Sequence, residues 1–223
     1  MNNNRVIRLS ALILSLVFIY GCSGLSKSYP ERNFYMFDLP PVNVQYPRVS
    51  GAVAEISRFN ISPGSDGKEF IYRRTEFDYE SDFYNQFFRP PGSMLTEVTG
   101  RWLLQSGPFE DVFGAVTQAD SNYFIEGNVV RLYGDFRSAP AAVMEIQLVL
   151  LEYTTDSNYE DNTKVVFAKN YSYEVPIAST APKDLMQGWN TALGEILNAF
   201  LADLSKNVKP PAPQVQSNGT QQQ

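Results

Sequence analysis

Three long stretches of strand-forming residues follow one another with no helical pattern between them, and this order constrains the fold most. They comprise residues 123–136, 143–153 and 165–175. Alternate residues of the second stretch are apolar, as in a strand with one buried face. The polar sequence TTDSNYEDNT at 154–163 predicts a hairpin loop between the last two. Consecutive strands without helical crossovers favour an antiparallel or mixed sheet.

Two amphipathic helices are predicted around these strands. The first lies within RPPGSMLTEVTGRWLLQSGP at 89–108, where apolar residues recur at helical spacing between a Pro-Pro entry and a Gly-Pro stop. The second covers 182–206, with an apolar stripe from Leu185 to Leu204. Shorter strands are predicted at 34–39, 52–61, 69–74, 76–84 and 109–115. The fold class predicted is α+β, with a mostly antiparallel or mixed sheet and both helices packed on one face.

The N-terminus has the pattern of a secretory signal. Arg5 and Arg8 precede an apolar run at 9–19, which is too short to anchor the chain as a membrane-spanning helix. The sequence Ile19-Tyr20-Gly21-Cys22 that follows resembles the lipobox of bacterial lipoproteins, although Tyr20 is bulkier than the usual residue. This resemblance implies cleavage before Cys22 and attachment of lipid, including palmitate, to that cysteine. Ser23, in place of Asp, implies sorting to the outer membrane of a Gram-negative bacterium.

These signals divide the chain into four parts. Residues 1–21 are predicted to be the signal peptide and 22–33 a polar tether. Residues 34–207 form the predicted folded domain. Residues 208–223 are rich in Pro and Gln and are predicted to be disordered.

The composition excludes several classes of function. The chain has no histidine and a single cysteine, which excludes Ser-His-Asp and Cys-His catalysis, imidazole metal sites and an intramolecular disulfide. The net charge of −6 disfavours nucleic-acid binding. The loop at 156–162 lacks the glycine and the final acid of a calcium loop, and SPGSDGK at 62–68 departs from a P-loop. The prediction is a binding protein without enzymatic activity, metal or cofactor.

The densest aromatic series on the chain gives the candidate contact residues. They are Tyr72, Phe77, Tyr79, Phe83, Tyr84, Phe87 and Phe88. Such a series forms either the packed face of strands or an exposed surface for a partner or a lipid. The sequence leaves both alternatives open. All of these residues except Phe83 are predicted as candidate partner or lipid contacts.

The stretch EFIYRRTEFDYESDFYNQFFRPPGSMLTEVTGRWLLQSGPFEDV at 69–112 resembles the ABC-type transport auxiliary lipoprotein family, and so does 164–204. A Tyr-Arg pair ends a strand, an aromatic strand follows, and a Pro-containing entry leads into an amphipathic helix. The resemblance implies a lipoprotein that faces the periplasm, carries no catalytic residues, and partners inner-membrane ABC components and an MCE-domain protein in moving lipids or other hydrophobic compounds. The membrane, through the lipid, and a second copy of the chain are further expected partners. The alternative is an outer-membrane assembly or structural lipoprotein that binds another envelope macromolecule.

Overall fold

The described part of the chain contains nine strands and two helices. The single strand predicted at 52–61 is divided into two short strands, and the order of the elements is otherwise as predicted. The structure is a computed structural model that describes residues 31–62, 66–114, 120–155 and 161–211. The strands are β1 (Asn33–Tyr35), β2 (Val53–Ile56), β3 (Asn60–Ile61), β4 (Glu69–Arg73), β5 (Tyr79–Phe87), β6 (Asp111–Gly114), β7 (Tyr123–Asp135), β8 (Ala141–Thr155) and β9 (Asp161–Pro176). The helices are α1 (Pro91–Ser106) and α2 (Pro182–Asn207). Cys22, the signal segment and the loop at 156–160 lie outside the described residues.

Strand β7 is the centre of the sheet. One of its edges pairs with β8 in antiparallel register along almost the whole strand, and β8 pairs in the same way with β9. Three short strands, β2, β3 and β4, pair in parallel with β7. Strand β6 extends the sheet from β2, and β5 and then β1 extend it from β4. The sheet is therefore mixed, and with the two helices it confirms the predicted α+β class.

Both helices pack against one continuous core. Helix α1 begins with a proline in its first turn, a position where the missing N–H costs no hydrogen bond, and it ends at Gly107. Helix α2 has Asp184 in its first turn and Lys206 in its last, charges that complement the helix dipole. Trp189 of α2 is fully buried, and its indole Nε1–H donates a 3.2 Å hydrogen bond to the carbonyl oxygen of Val143. Burial of the two apolar stripes is what holds the helices to the sheet.

An irregular segment at 37–46, which we call the strap, crosses from α2 to the end of α1. Phe37 is buried in the core, and the Asp38 N–H donates to Asn190 Oδ1 at 3.1 Å. Farther along, the Tyr46 N–H donates to the carbonyl oxygen of Ser106 at 3.0 Å. Pro40 and Pro41 stiffen the middle of the strap because their rings fix φ. The sequence predicted no structure here beyond residue 39.

The folded region extends past the predicted boundary at residue 207. Val208 is buried in the core, and the Tyr123 hydroxyl both donates to the Lys209 carbonyl oxygen and accepts from its N–H, each at 3.1 Å. The Pro211 ring lies against Gly51. The prediction of disorder from residue 208 was therefore wrong for 208–211, where one buried side chain and two hydrogen bonds hold the backbone.

Candidate functional site

The structure separates the aromatic series into a buried and an exposed group. Tyr72 and Phe87 are only 5% and 2% exposed and belong to the core. Their assignment as partner or lipid contacts is therefore corrected, because the packed sheet covers both rings. Phe77 is 93% exposed, and the remaining members, which are Tyr79, Phe83, Tyr84 and Phe88, are each exposed by two-fifths or more.

A bulge of three residues in β5 explains why some neighbouring aromatic side chains are buried and others exposed. Glu69 pairs with Gln86, but the next residue of β4, Phe70, pairs with Asp82. Residues 83–85 are therefore extra residues of β5 with no opposite partner on β4. An insertion of this kind breaks the alternation of side chains along a strand and turns the extra residues outward. It places Phe83 and Tyr84 at the surface, while Phe87 beyond the bulge returns to the core.

Asp82 holds the bulge in place as a hydrogen-bond acceptor. Its Oδ1 accepts from the backbone N–H groups of Tyr84 and Asn85 at 2.8 and 3.1 Å. Its Oδ2 accepts from the hydroxyl of buried Tyr72 and from Asn85 Nδ2, both at 2.7 Å. The Asn85 side chain in turn accepts from Tyr35 and Asn33 of the neighbouring strand β1. We call Asp82 with these partners the Asp82 clasp.

The clasp shifts the pKa values of Asp82 and Tyr72 in opposite directions. Burial acts to raise the pKa of Asp82, but hydrogen bonds from Tyr72, Asn85 and Tyr84 together outweigh it, and the pKa is lowered. The pKa of Tyr72 is raised, first by burial and then by its hydrogen bond to the Asp82 carboxylate. The clasp is therefore a neutral phenol donating to a carboxylate, an arrangement stable at neutral pH.

Four exposed rings around the bulge form a surface that we call the aromatic ridge: Phe34, Phe83, Tyr84 and Phe88. The rings of Phe34 and Phe88 meet edge to face at 6.4 Å, and those of Phe83 and Tyr84 do so at 5.4 Å. The Arg32 guanidinium lies 3.8 Å from the centre of the Phe83 ring, a cation–π contact. Phe34 is not among the contact residues predicted from the sequence, because the pattern of its strand alone does not show which side chain faces solvent.

An open strand edge adjoins the ridge. Strand β4 covers one edge of β5, whereas β1 covers only residues 85–87 of the other. Within the described chain, no strand pairs with that second edge over residues 79–82. An edge of this kind offers backbone donors and acceptors to an incoming strand. The ridge and the edge together offer apolar surface and backbone hydrogen bonds at one place.

Phe77 and Tyr79 lie at the other end of β5. Phe77 is in the turn between β4 and β5, and the Tyr79 ring packs edge to face on Tyr133 of β7 at 5.6 Å. The Arg73 guanidinium lies 5.7 Å from the Tyr79 ring centre. Since a strand neighbour partly holds Tyr79, Phe77 is the more accessible of the two.

Two further properties of the described residues bear on function. They contain no group of three or more Cys, Asp or Glu side chains placed to hold a metal ion. No helix among them has the length and apolar character needed to cross a membrane.

Comparison with known proteins gives relatives by fold. No protein-family model and no curated protein sequence matches the chain. A solved structure of a Xanthomonas campestris protein of the family DUF330 is similar, with a TM-score of 0.63 and 20% identity over 77% of this chain and 95% of that one. The structure of an uncharacterised protein is similar with a TM-score of 0.59 and 10% identity, over 78% of this chain and 98% of that one. At these identities the likeness establishes that the chain shares their fold.

Proposed function

We propose that the chain is a lipid-anchored auxiliary component of an ABC transport system with an MCE-domain partner. It acts by binding and not by catalysis, on the periplasmic side of the outer membrane. The system would move lipids or other hydrophobic compounds through the envelope. The lipobox-like sequence ending at Cys22 supports the anchor, and the resemblance over 69–112 and 164–204 supports the role. The fold shared with the two solved structures supports the architecture on which the role depends.

The observation that carries the binding role is the aromatic ridge beside an open strand edge. Exposed aromatic rings, here two edge-to-face pairs, are typical of interfaces, since they bury large area at little cost in side-chain entropy. A bilayer or a free lipid offers no regular row of backbone groups to the edge at 79–82. A protein strand satisfies both the edge and the ridge, as in strand addition. The ridge is therefore proposed as the contact with a protein component of the transporter.

The length of chain between the proposed anchor and the ridge limits how far this surface can lie from the membrane. Ten residue steps separate Cys22 from Arg32, which is already stacked on Phe83. At full extension they span about 35 Å. This reach lets a partner that crosses the periplasm meet the ridge near the outer membrane.

Site-specific photo-crosslinking in the native envelope tests the contact. A photoreactive phenylalanine analogue at Phe83 is expected to crosslink to an MCE-domain or ABC component. Val165 on the far strand β9 is 55% exposed and serves as the matched control position. Crosslinks from position 83 only to phospholipid would contradict the assignment of the ridge. Crosslinks to an unrelated envelope protein would contradict the transport role and favour an assembly or structural lipoprotein.

The anchor has its own test. Cells labelled with radioactive palmitate are expected to incorporate label into the wild-type protein and not into a Cys22→Ala variant. The wild-type protein is expected to fractionate with outer membranes. Label retained by the variant would refute attachment at Cys22.

A further inference from the structure

A second candidate surface lies on the face of the sheet opposite the two helices. Along β7, Tyr123 and Ile125 are buried in the core, whereas Phe124 between them is only partly buried. On β8, Leu150 is buried and the next residue, Leu151, is only partly buried. Because side chains alternate between the two faces of a strand, Phe124 and Leu151 point away from the core.

The register of the strands aligns apolar side chains across this face. One row of paired residues runs from β6 through β2, β7 and β8 to β9 and consists of Phe113, Glu55, Phe124, Leu151 and Val165. At the ordinary spacing of strands this row is about 19 Å long. Its apolar members do not belong to the core on which the helices pack. We call this row, with Glu126 and Val149 of the next row, the outer patch.

The outer patch carries carboxylates that have no cationic partner. Glu55 stands within the row, and Glu126 lies on β7 two residues beyond Phe124. Neither forms an ion pair with another residue of the described ranges. Farther along the same face, Glu145 is instead paired with Arg131 at 2.6 Å. The patch is therefore an apolar surface with uncompensated negative charge.

The strands beneath the patch restrict what can bind there. Strands β2, β7 and β8 each have a strand on both sides, so their faces offer side chains and no free backbone edge. A bound protein segment must satisfy its own backbone groups, as a helix does. The carboxylates disfavour an anionic lipid and a second copy of the same patch, since like charges would meet. Residues 212–223 contain no Lys or Arg to neutralise them.

We infer that the outer patch binds a basic amphipathic helix of another protein. Apolar side chains on one face of that helix cover the row, and its Lys or Arg side chains pair with Glu55 and Glu126. The spacing of strands places the Cα atoms of these two glutamates about 8 Å apart. Helix residues four apart are separated by about 6 Å, a difference that long cationic side chains span. The inference is independent of the proposed transport role, since it uses no residue of the aromatic ridge.

Fluorine NMR of the full-length chain in a non-ionic detergent, with 4-fluorophenylalanine incorporated at Phe124, tests the inference. The probe is a synthetic helical peptide of about four turns, with leucines along one face and lysines beside them. The signal is expected to move, with half-saturation at about 0.1 mM or below. The same label at Phe77, which is 93% exposed in the turn between β4 and β5, is expected to stay fixed. No movement at Phe124, or equal movement with a peptide of scrambled sequence, would overturn the inference.

Charge reversal separates the patch from the general acidity of the chain. Glu55→Lys is expected to weaken binding of the peptide at least about tenfold. Glu195→Lys makes the same change at an exposed position of α2, on the other side of the sheet, and is expected to leave binding unchanged. Val165→Ser, at a position 55% exposed, provides a second binding variant if Glu55→Lys perturbs folding, with an expected loss of about threefold. Equal weakening by both charge reversals would show attraction by net charge alone and refute the inference.

Other occupants of the patch give different results. Movement of the Phe124 signal with protein concentration alone would assign the patch to a second copy of the chain. Movement on deletion of residues 212–223 would assign it to the C-terminal segment, and either result would refute the inference. In the native envelope, a photoreactive residue at Val165 is expected to crosslink to a segment rich in Lys or Arg, in a product distinct from that formed at Phe83. A crosslinked segment without Lys or Arg would contradict the assignment.

Discussion

Replacing Asp82 by asparagine removes the charge that holds the β5 bulge while nearly preserving side-chain shape. The carboxylate accepts four hydrogen bonds, of which that from Tyr72 comes from a buried hydroxyl. An amide cannot accept them all, because its Nδ2 group is itself a donor. The backbone N–H groups of Tyr84 and Asn85 can turn to water, whereas the Tyr72 hydroxyl cannot.

The expected cost at pH 7 is that of one charge-assisted hydrogen bond to a buried donor. Such bonds contribute roughly 1.5–3 kcal/mol, so Asp82→Asn is expected to lower the free energy of unfolding by about 2 kcal/mol. For a domain of this size the loss corresponds to a fall of about 4–8 °C in Tm. Urea denaturation followed by circular dichroism measures the difference. Asp66→Asn in an exposed loop is the control and is expected to cost less than about 0.5 kcal/mol.

The pH dependence separates the charge from the shape of the side chain. Because the folded-state pKa of Asp82 is lowered, its carboxylate stabilises the fold above the unfolded-state pKa of about 3.9. That contribution is lost as pH falls through the folded-state pKa. The difference between wild type and Asp82→Asn is therefore expected to shrink steadily below about pH 4. A constant difference from pH 7 to pH 3, or none at pH 7, would refute this account of the clasp.

Two further predictions concern close packing and the C-terminus. Gly127→Ala is expected to cost about 1–3 kcal/mol in the free energy of unfolding, since its Cβ would overlap the Phe59 ring; Gly114→Ala, with nothing within 4 Å, should cost far less. A chain ending at residue 207 is expected to be about 3 kcal/mol less stable than one ending at 211, because it loses a buried valine and two hydrogen bonds. Equal urea midpoints within either pair would contradict the packing described.

The regular elements could be predicted from the sequence because each carries a clear period. Helix α2 has eleven buried residues on one stripe, and the sequence placed its ends within one residue. The apolar face of β8, from Met144 to Leu150, is buried as predicted. Side chains that alternate or recur at 3.6 residues reveal both the element and its buried face.

The aromatic ridge could be predicted only as a group of candidate residues. The bulge at 83–85 shifts the alternation of β5, so no single period describes the strand. The strand was consequently predicted at 76–84 and occurs at Tyr79–Phe87. The bulge depends on Asp82 meeting Tyr72, a contact between strands that local sequence does not encode. The buried members, Tyr72 and Phe87, could not be told from the exposed ones for this reason.

The course of the strap was not predicted from the sequence. The strap has no hydrophobic period, and its place is set by hydrogen bonds to Asn190 and Ser106, which are distant in sequence. The helical periodicity of the sequence predicts only that Trp102 is a buried residue of α1.

The position of β7 at the centre of the sheet constrains the order in which the strands can fold. Strands β2 and β3 precede β7 by about sixty residues or more, and neither has a complete partner until β7 has been synthesised. The β4–β5 hairpin can form early, but an isolated two-stranded hairpin is marginal in water. By contrast, β7, β8 and β9 pair with their immediate neighbours in sequence. Such local pairing favours rapid folding of this part of the sheet. We therefore expect the C-terminal half to fold first and to recruit the N-terminal strands, so that the part of the chain made first is the last to become ordered.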